Sequence, residues 1–138
     1  MTARYEYEIG STSLNRVNVK TLGSATLTHE WQRVEPFGMT YSPYSMYRVS
    51  ASGMEYGDGF PLLVWEFDTM HPDQLDALLA YIPDGSQSAE VHIKTRLTDG
   101  TYDTFSAVMH RPKVPDEGAY VNNRWHDVRI RFSCLETD

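Results

Sequence analysis

Cysteine is nearly absent: Cys134 is the single one in 138 residues. That excludes an internal disulfide and any multi-cysteine zinc site. Cys134 alternates with Val128, Ile130 and Phe132, so it reads as a small core residue rather than a reactive thiol. Lysine is scarce as well, with three lysines against nine arginines, a choice that suits paired or interface positions better than plain solubility. No apolar run approaches the roughly 20 residues that a helical membrane span needs. The opening residues, MTARYEYEIG, have neither a basic nor an apolar leader segment, so no signal peptide is expected. Internal repeats and low-complexity tracts are also missing.

Basic charge is in deficit. Nineteen acids against twelve bases leave a formal net charge of −7. A general nucleic-acid binder needs a basic surface, so specific nucleic-acid binding is not expected. An acidic wall past which DNA slides without sticking remains compatible with this charge. What the chain does have is aromatic side chains: nine Tyr, five Phe and three Trp, which favour strands and interfaces. With 41% hydrophobic residues, the chain is too apolar for intrinsic disorder and reads as one domain over 1–138.

Periodicity gives a mainly β (α+β) chain. Arg4 to Ile9 alternates aromatic and acidic residues, which suits an edge strand or an N-terminal arm over 1–13. Leu14–Leu22 and Ala25–Val34 read as strands, the second more clearly because of its β-branched and aromatic residues. EPFGMTYSPY, Glu35 to Tyr44, carries two prolines and a glycine and is expected to form a long loop over 35–45. Its aromatics must fold back on their own sheet or pack on a neighbour. Met46–Met54 resumes strand character, and Gly57-Asp58-Gly59 is a turn lacking the other residues of a phosphate or calcium loop.

Leu62–Phe67 is the most apolar strand. A helix should follow over 71–82, with His71 as N-cap, Pro72 at the first position, Gln74 in the capping-box place and an apolar stripe of Leu75, Leu78, Leu79 and Ile82. Glu90–Leu97 alternates, with Val91, Ile93, Thr95 and Leu97 on one face. Asp99-Gly100 turns it into a partner strand, Thr101–Met109. A second long loop spans 110–125. The last strand, His126–Leu135, points Val128, Ile130, Phe132 and Cys134 inward and Arg129, Arg131 and Ser133 outward. These elements fit an antiparallel β-sandwich or partly closed barrel with one flanking helix.

Candidate chemistry is sparse. The five histidines are dispersed, and only a folded cluster of His92, His110 and His126 could bring three together, so no metal or other cofactor is expected. No Ser occupies a G-x-S-x-G elbow. Glu66 and Asp68 share a strand face and read as solvent- or arginine-facing charges rather than a catalytic pair. The chain is expected to be non-enzymatic. Lys94, Arg96, Arg129 and Arg131 would form an outward basic patch if their strands are neighbours, either paired across strands to Glu66, Asp68 or Glu90 or meeting acids of another copy.

The runs GDGFPLLVWEFDTMHPDQLDALLAYI, VHIKTRLTDGTYDTFSAVMHRPK and VRIRFSCL, within Ser50–Leu135, resemble small virion proteins of tailed bacteriophages. In element order they are similar to the phage tail-tube fold. That resemblance implies a small β-sandwich with a flanking helix and long loops, assembling as a homo-oligomer in rings or stacked rings with other virion proteins. It implies a tail-tube or tail-end role around the DNA channel, in virions made in the bacterial host cytoplasm. Intersubunit contacts are then expected at Phe37, Met39, Tyr41 and Tyr44 of the first loop, and at Arg96, Arg111, Arg129 and Arg131. The competing readings are a capsid decoration protein and a monomeric carbohydrate-binding β-module using Trp31 and Trp125. No membrane partner is expected.

Overall fold

The computed structural model describes residues 7–22, 36, 38–44, 46–113, 117–121 and 124–137, with backbone only for Tyr47, Tyr56 and Asp58. The expected strand Ala25–Val34, residues 1–6 of the arm, Phe37 and Trp31 lie outside these residues. Ten strands are described: β1 (Glu8–Gly10), β2 (Val17–Asn18), β3 (Gly38–Ser42), β4 (Met46–Val49), β5 (Glu55–Asp58), β6 (Leu62–Met70), β7 (Ser88–Arg96), β8 (Tyr102–His110), β9 (Ala119–Val121) and β10 (Arg124–Thr137). One helix, α1 (Pro72–Leu79), joins β6 to β7, and a 3-10 turn covers Val19–Thr21.

Eight strands form one antiparallel sheet in the order β2-β1-β7-β8-β10-β6-β3, with β9 added beside the start of β10. Strands β4 and β5 form a separate two-stranded sheet. The alternation read from the sequence sets the inner face: Leu63, Trp65 and Phe67 on β6, Val91 and Ile93 on β7, Met109 on β8, and Ile130 and Phe132 on β10 are all buried.

The sheet is rolled. In a flat sheet β6 and β7, three strands apart, would be separated by about 14 Å. Instead the Trp65 indole Nε1 donates to Thr95 Oγ1 at 2.9 Å. Tyr7, next to β1, meets the Trp65 ring edge-on with centroids 5.6 Å apart, and Tyr41 of β3 lies 6.4 Å from Phe105 of β8. The two halves of one sheet therefore face each other as the layers of a sandwich. The edges β2 and β3 do not pair, so the roll is not closed into a barrel.

Strand β10 makes the bend possible. Its register against β8 shifts by one residue between Ser133 and Glu136, and Cys134 sits there with φ 54°. A bulge of this kind twists a strand and resets its alternation. Phe132 and Leu135 both point inward as a result, and Cys134 is exposed, not in the core as the simple alternation predicted.

Three other expectations change. The first long loop contains β3, an edge strand paired with β6 from Gly38↔Glu66 to Ser42↔Leu62. Its prolines, Pro36 and Pro43, flank the paired residues instead of interrupting them, which an edge strand tolerates. The helix ends at Leu79 rather than near 82, because Pro83 disfavours helical backbone at the residue before it. The last turn tightens, with Ile82 N–H donating to Leu79 O at 3.0 Å. The second long loop contains β9, which pairs with Arg124–His126. In the 14–22 segment only Val17–Asn18 is strand, giving way to the 3-10 turn, where Asn18 Oδ1 accepts from Lys20 N–H at 2.9 Å.

Helix α1 starts as its sequence dictates: His71 Nδ1 accepts from Asp73 N–H at 3.2 Å and Pro72 occupies the first position. Leu75 and Leu78 enter the core. The fully buried Gln74 side chain donates to Val19 O at 3.1 Å, tying the helix to the 3-10 turn.

Thr95 is the only buried hydroxyl described opposite the Trp65 indole, so Thr95→Val should leave that N–H without its acceptor. An unsatisfied buried donor costs about 1–3 kcal/mol. Urea unfolding of the variant should show a loss of that size, and an unchanged midpoint would mean that the bond does not hold the two halves together.

Candidate functional site

A small cavity of about 60 Å³ lies beside Glu66, Asp127 and Arg129; the larger features among the described residues are surfaces. The first is the β4–β5 hairpin. Among the described residues it pairs only with itself, from Met46↔Asp58 to Val49↔Glu55, and makes its principal contacts within itself. A lone two-stranded hairpin is marginal in water. This one nevertheless exposes Met46, Val49 and Met54, and Phe60 and Leu62 follow at its base. Val49 at 66% and Met54 at 69% exposure flank its tip, where Ser50 N–H donates to Met54 O at 2.8 Å. The sequence marks the strand but gives no sign that the hairpin leaves the main sheet.

The expected contact residues distribute unevenly. Met39 and Tyr41 lie on β3 opposite Trp65 and Leu63 and pack against their own core, so the first loop folds back on its own sheet there. Tyr44, just beyond, is 43% exposed, and its ring lies flat on Gly57 of β5. It lies between β3 and β4 and occupies the space beside Gly57. Phe37 lies outside the described residues.

The arginines do not form one patch. Lys94 on β7 is level with Thr104, whereas Arg131 on β10 is level with His110, roughly 20 Å further along β8. Arg129 approaches Glu66 across the strands, Nε to Oε1 3.9 Å, and Arg131 pairs with Glu117. Arg111 donates to the carbonyls of Ser86 at 3.2 Å and Ile82 at 3.4 Å, fastening the segment after α1. Arg96, at the end of β7 before the Asp99-Gly100 turn, is exposed.

A groove runs between α1 and the chain that follows β8. Leu75, Leu79, Pro112, Trp125 and Val128, with Glu117 at one side, line a mainly apolar cavity of about 170 Å³, which opens past Asp76 and Arg111 into a cleft of about 460 Å³ reaching Asp84. Trp125 is itself half-buried and tilted against Tyr120, ring centroids 5.4 Å apart. The groove joins a helix face to a distant loop, so no local motif announces it.

His92, His110 and His126 sit on β7, β8 and β10 at different levels, opposite Ser106, Arg131 and Thr69. Among the described residues no three His, Cys, Asp or Glu side chains are placed to hold a metal. His110 instead shares a 2.7 Å hydrogen bond with Ser133 Oγ on the outer sheet face. Neither residue lines the cavities beside α1. Burial, with the Arg131 and Lys113 cations, holds the imidazole below its ordinary range, against the opposing effect of Glu117.

No family model, curated protein or solved structure matches the chain.

Two outcomes follow. A Cβ at Gly57 would fall 1.9 Å from Tyr44 Cδ2, so Gly57→Ala should dislodge the ring and speed hydrogen exchange across 46–58. Adding Tyr44→Ala should remove the clash without restoring protection; protection unchanged in Gly57→Ala would show that Tyr44 does not hold the hairpin. For His110, a lowered native pKa means that the unfolded chain takes up the proton more readily. Stability should fall as the pH drops through the ordinary histidine value of 6.5. His110→Gln should narrow the difference between urea midpoints at about pH 8 and about pH 5.5, and an equal difference would remove His110 from the pH response.

Proposed function

We propose that this chain is a non-enzymatic structural protein of a tailed-bacteriophage virion that self-assembles through loops and strand edges, in the tail tube or at a tail end around the DNA channel. The observation that carries the self-assembly is the β4–β5 hairpin, a marginal element holding exposed Met46, Val49 and Met54 away from the main sheet. Apolar side chains displayed on such an arm gain by meeting another protein surface. The edges β2 and β3, which no other strand covers among the described residues, add backbone groups that a neighbour can pair with.

The virion assignment rests on the resemblance of Ser50–Leu135 to that class. The net charge of −7 supports it, since an acidic lumen passes DNA without binding it. The partners are then further copies of the chain, in a ring or stacked rings, and other virion proteins, with no membrane and no sequence-specific nucleic-acid contact. A capsid decoration protein would use the same kinds of contact. The carbohydrate-binding reading has less support, because Trp125 is half-buried against Tyr120 instead of offering an open platform.

Sedimentation velocity and negative-stain microscopy of the purified chain test this. Rings, tubes or a concentration-dependent series of oligomers are expected. A strict monomer at several milligrams per millilitre would overturn the proposal, and specific glycan binding by that monomer would establish the alternative.

A further inference from the structure

We infer that the β4–β5 hairpin of one copy docks in the α1 groove of the next, so that copies join head to tail along the direction of β6. This rests on the self-assembly reading above and assigns the two mating surfaces. The argument starts from where the two features sit. The hairpin is attached at the Leu62 end of β6, where β3 also leaves the sheet at Ser42. The groove lies at the other end, where Trp125 pairs with Met70, Val128 pairs with Phe67, and α1 begins directly afterwards. Nine residues of strand separate Leu62 from Met70, roughly 27 Å. A hairpin with four-residue arms reaches roughly 14 Å, so it falls short of its own groove. A second copy displaced along the strand brings the two together.

Size and charge also match. An apolar cavity of about 150 Å³ holds a benzene-sized group; the apolar part of the groove measures about 170 Å³. That accommodates one large side chain, and Met54, 69% exposed at the hairpin tip, is a flexible one suited to an irregular slot. Val49 packs beside it against the rim. The rim carries the acids Asp76 and Asp84 and the cation Arg111, and the hairpin carries the exposed Arg48 and Glu55 beside Val49 and Met54, so each surface offers both signs of charge to the other. The two surfaces differ, so the contact is heterologous. Such contacts close into rings or propagate as filaments, and they do not stop at a symmetric dimer.

Two exposed-site variants of the full chain separate the possibilities. Met54→Asp disables the hairpin and keeps the groove; Asp76→Arg blocks the groove entrance and keeps the hairpin. Neither side chain is in the core, and unchanged thermal melting of each variant confirms its fold. Each alone should associate about tenfold or more weakly than the parent in sedimentation velocity. Mixed in equal amounts, they should recover one association step and stop at a 1:1 dimer, because the mixture holds one working hairpin–groove pair. Wild-type assembly in both variants would overturn this pairing while leaving self-assembly standing. A parent that is monomeric throughout would remove both. Loss of assembly in both variants with no recovery on mixing would also overturn it, as would loss in Met54→Asp alone, which points to a symmetric hairpin–hairpin contact.

Discussion

The hydrogen bond from Trp65 to Thr95 is the constraint around which the domain is arranged. It joins strands that are three places apart in the sheet, so it can form only if the sheet rolls over on itself. Rolling buries Trp65, Phe132 and Tyr7 against one another, with Trp65 and Phe132 rings 4.7 Å apart. An indole N–H sealed inside such a cluster needs an acceptor, because a buried unpaired donor is costly. Thr95 supplies it from the opposite layer. The bond thus aligns the two halves as well as satisfying the donor, and the bulge at Cys134 gives β10 the extra residue that the bend requires.

Much of this was legible in the residues. Alternation on β6, β7, β8 and most of β10 gave the inner face because each of these strands has one apolar side, and a register slip would expose it. The helix start was legible from His71 and Pro72, whose chemistry is local. The failures have a common cause. The place of β3 and the bulge at Cys134 both depend on what a segment meets in space. Prolines that argue against a central strand are harmless at an edge. Alternation cannot count an extra residue that a bend absorbs.

The candidate surfaces were less legible than the fold for the same reason. Arginines that share a strand face in the sequence are set apart by register: Arg129 and Arg131 have acidic partners on their own chain, and Arg111 holds backbone carbonyls near α1. The exposed apolar residues moved in the other direction. Met46, Val49 and Met54 look like ordinary strand residues until the hairpin is seen to stand apart from the sheet. Tyr44, from the loop first suspected of contacting neighbours, has become the side chain on which that hairpin rests.

Strand β3 has a consequence for selectivity. Among the described residues no strand pairs with its outer side, and such an edge would ordinarily invite indiscriminate strand addition. Pro36 and Pro43 bracket the five residues of the strand, and neither can donate a backbone hydrogen bond. Any incoming segment therefore finds a ladder of fixed, short length that ends at a proline on both sides. That length is too small to hold an arbitrary peptide by backbone bonding alone. It admits a partner already positioned by other contacts, so the edge acts as a filter against aggregation while remaining usable in an ordered assembly.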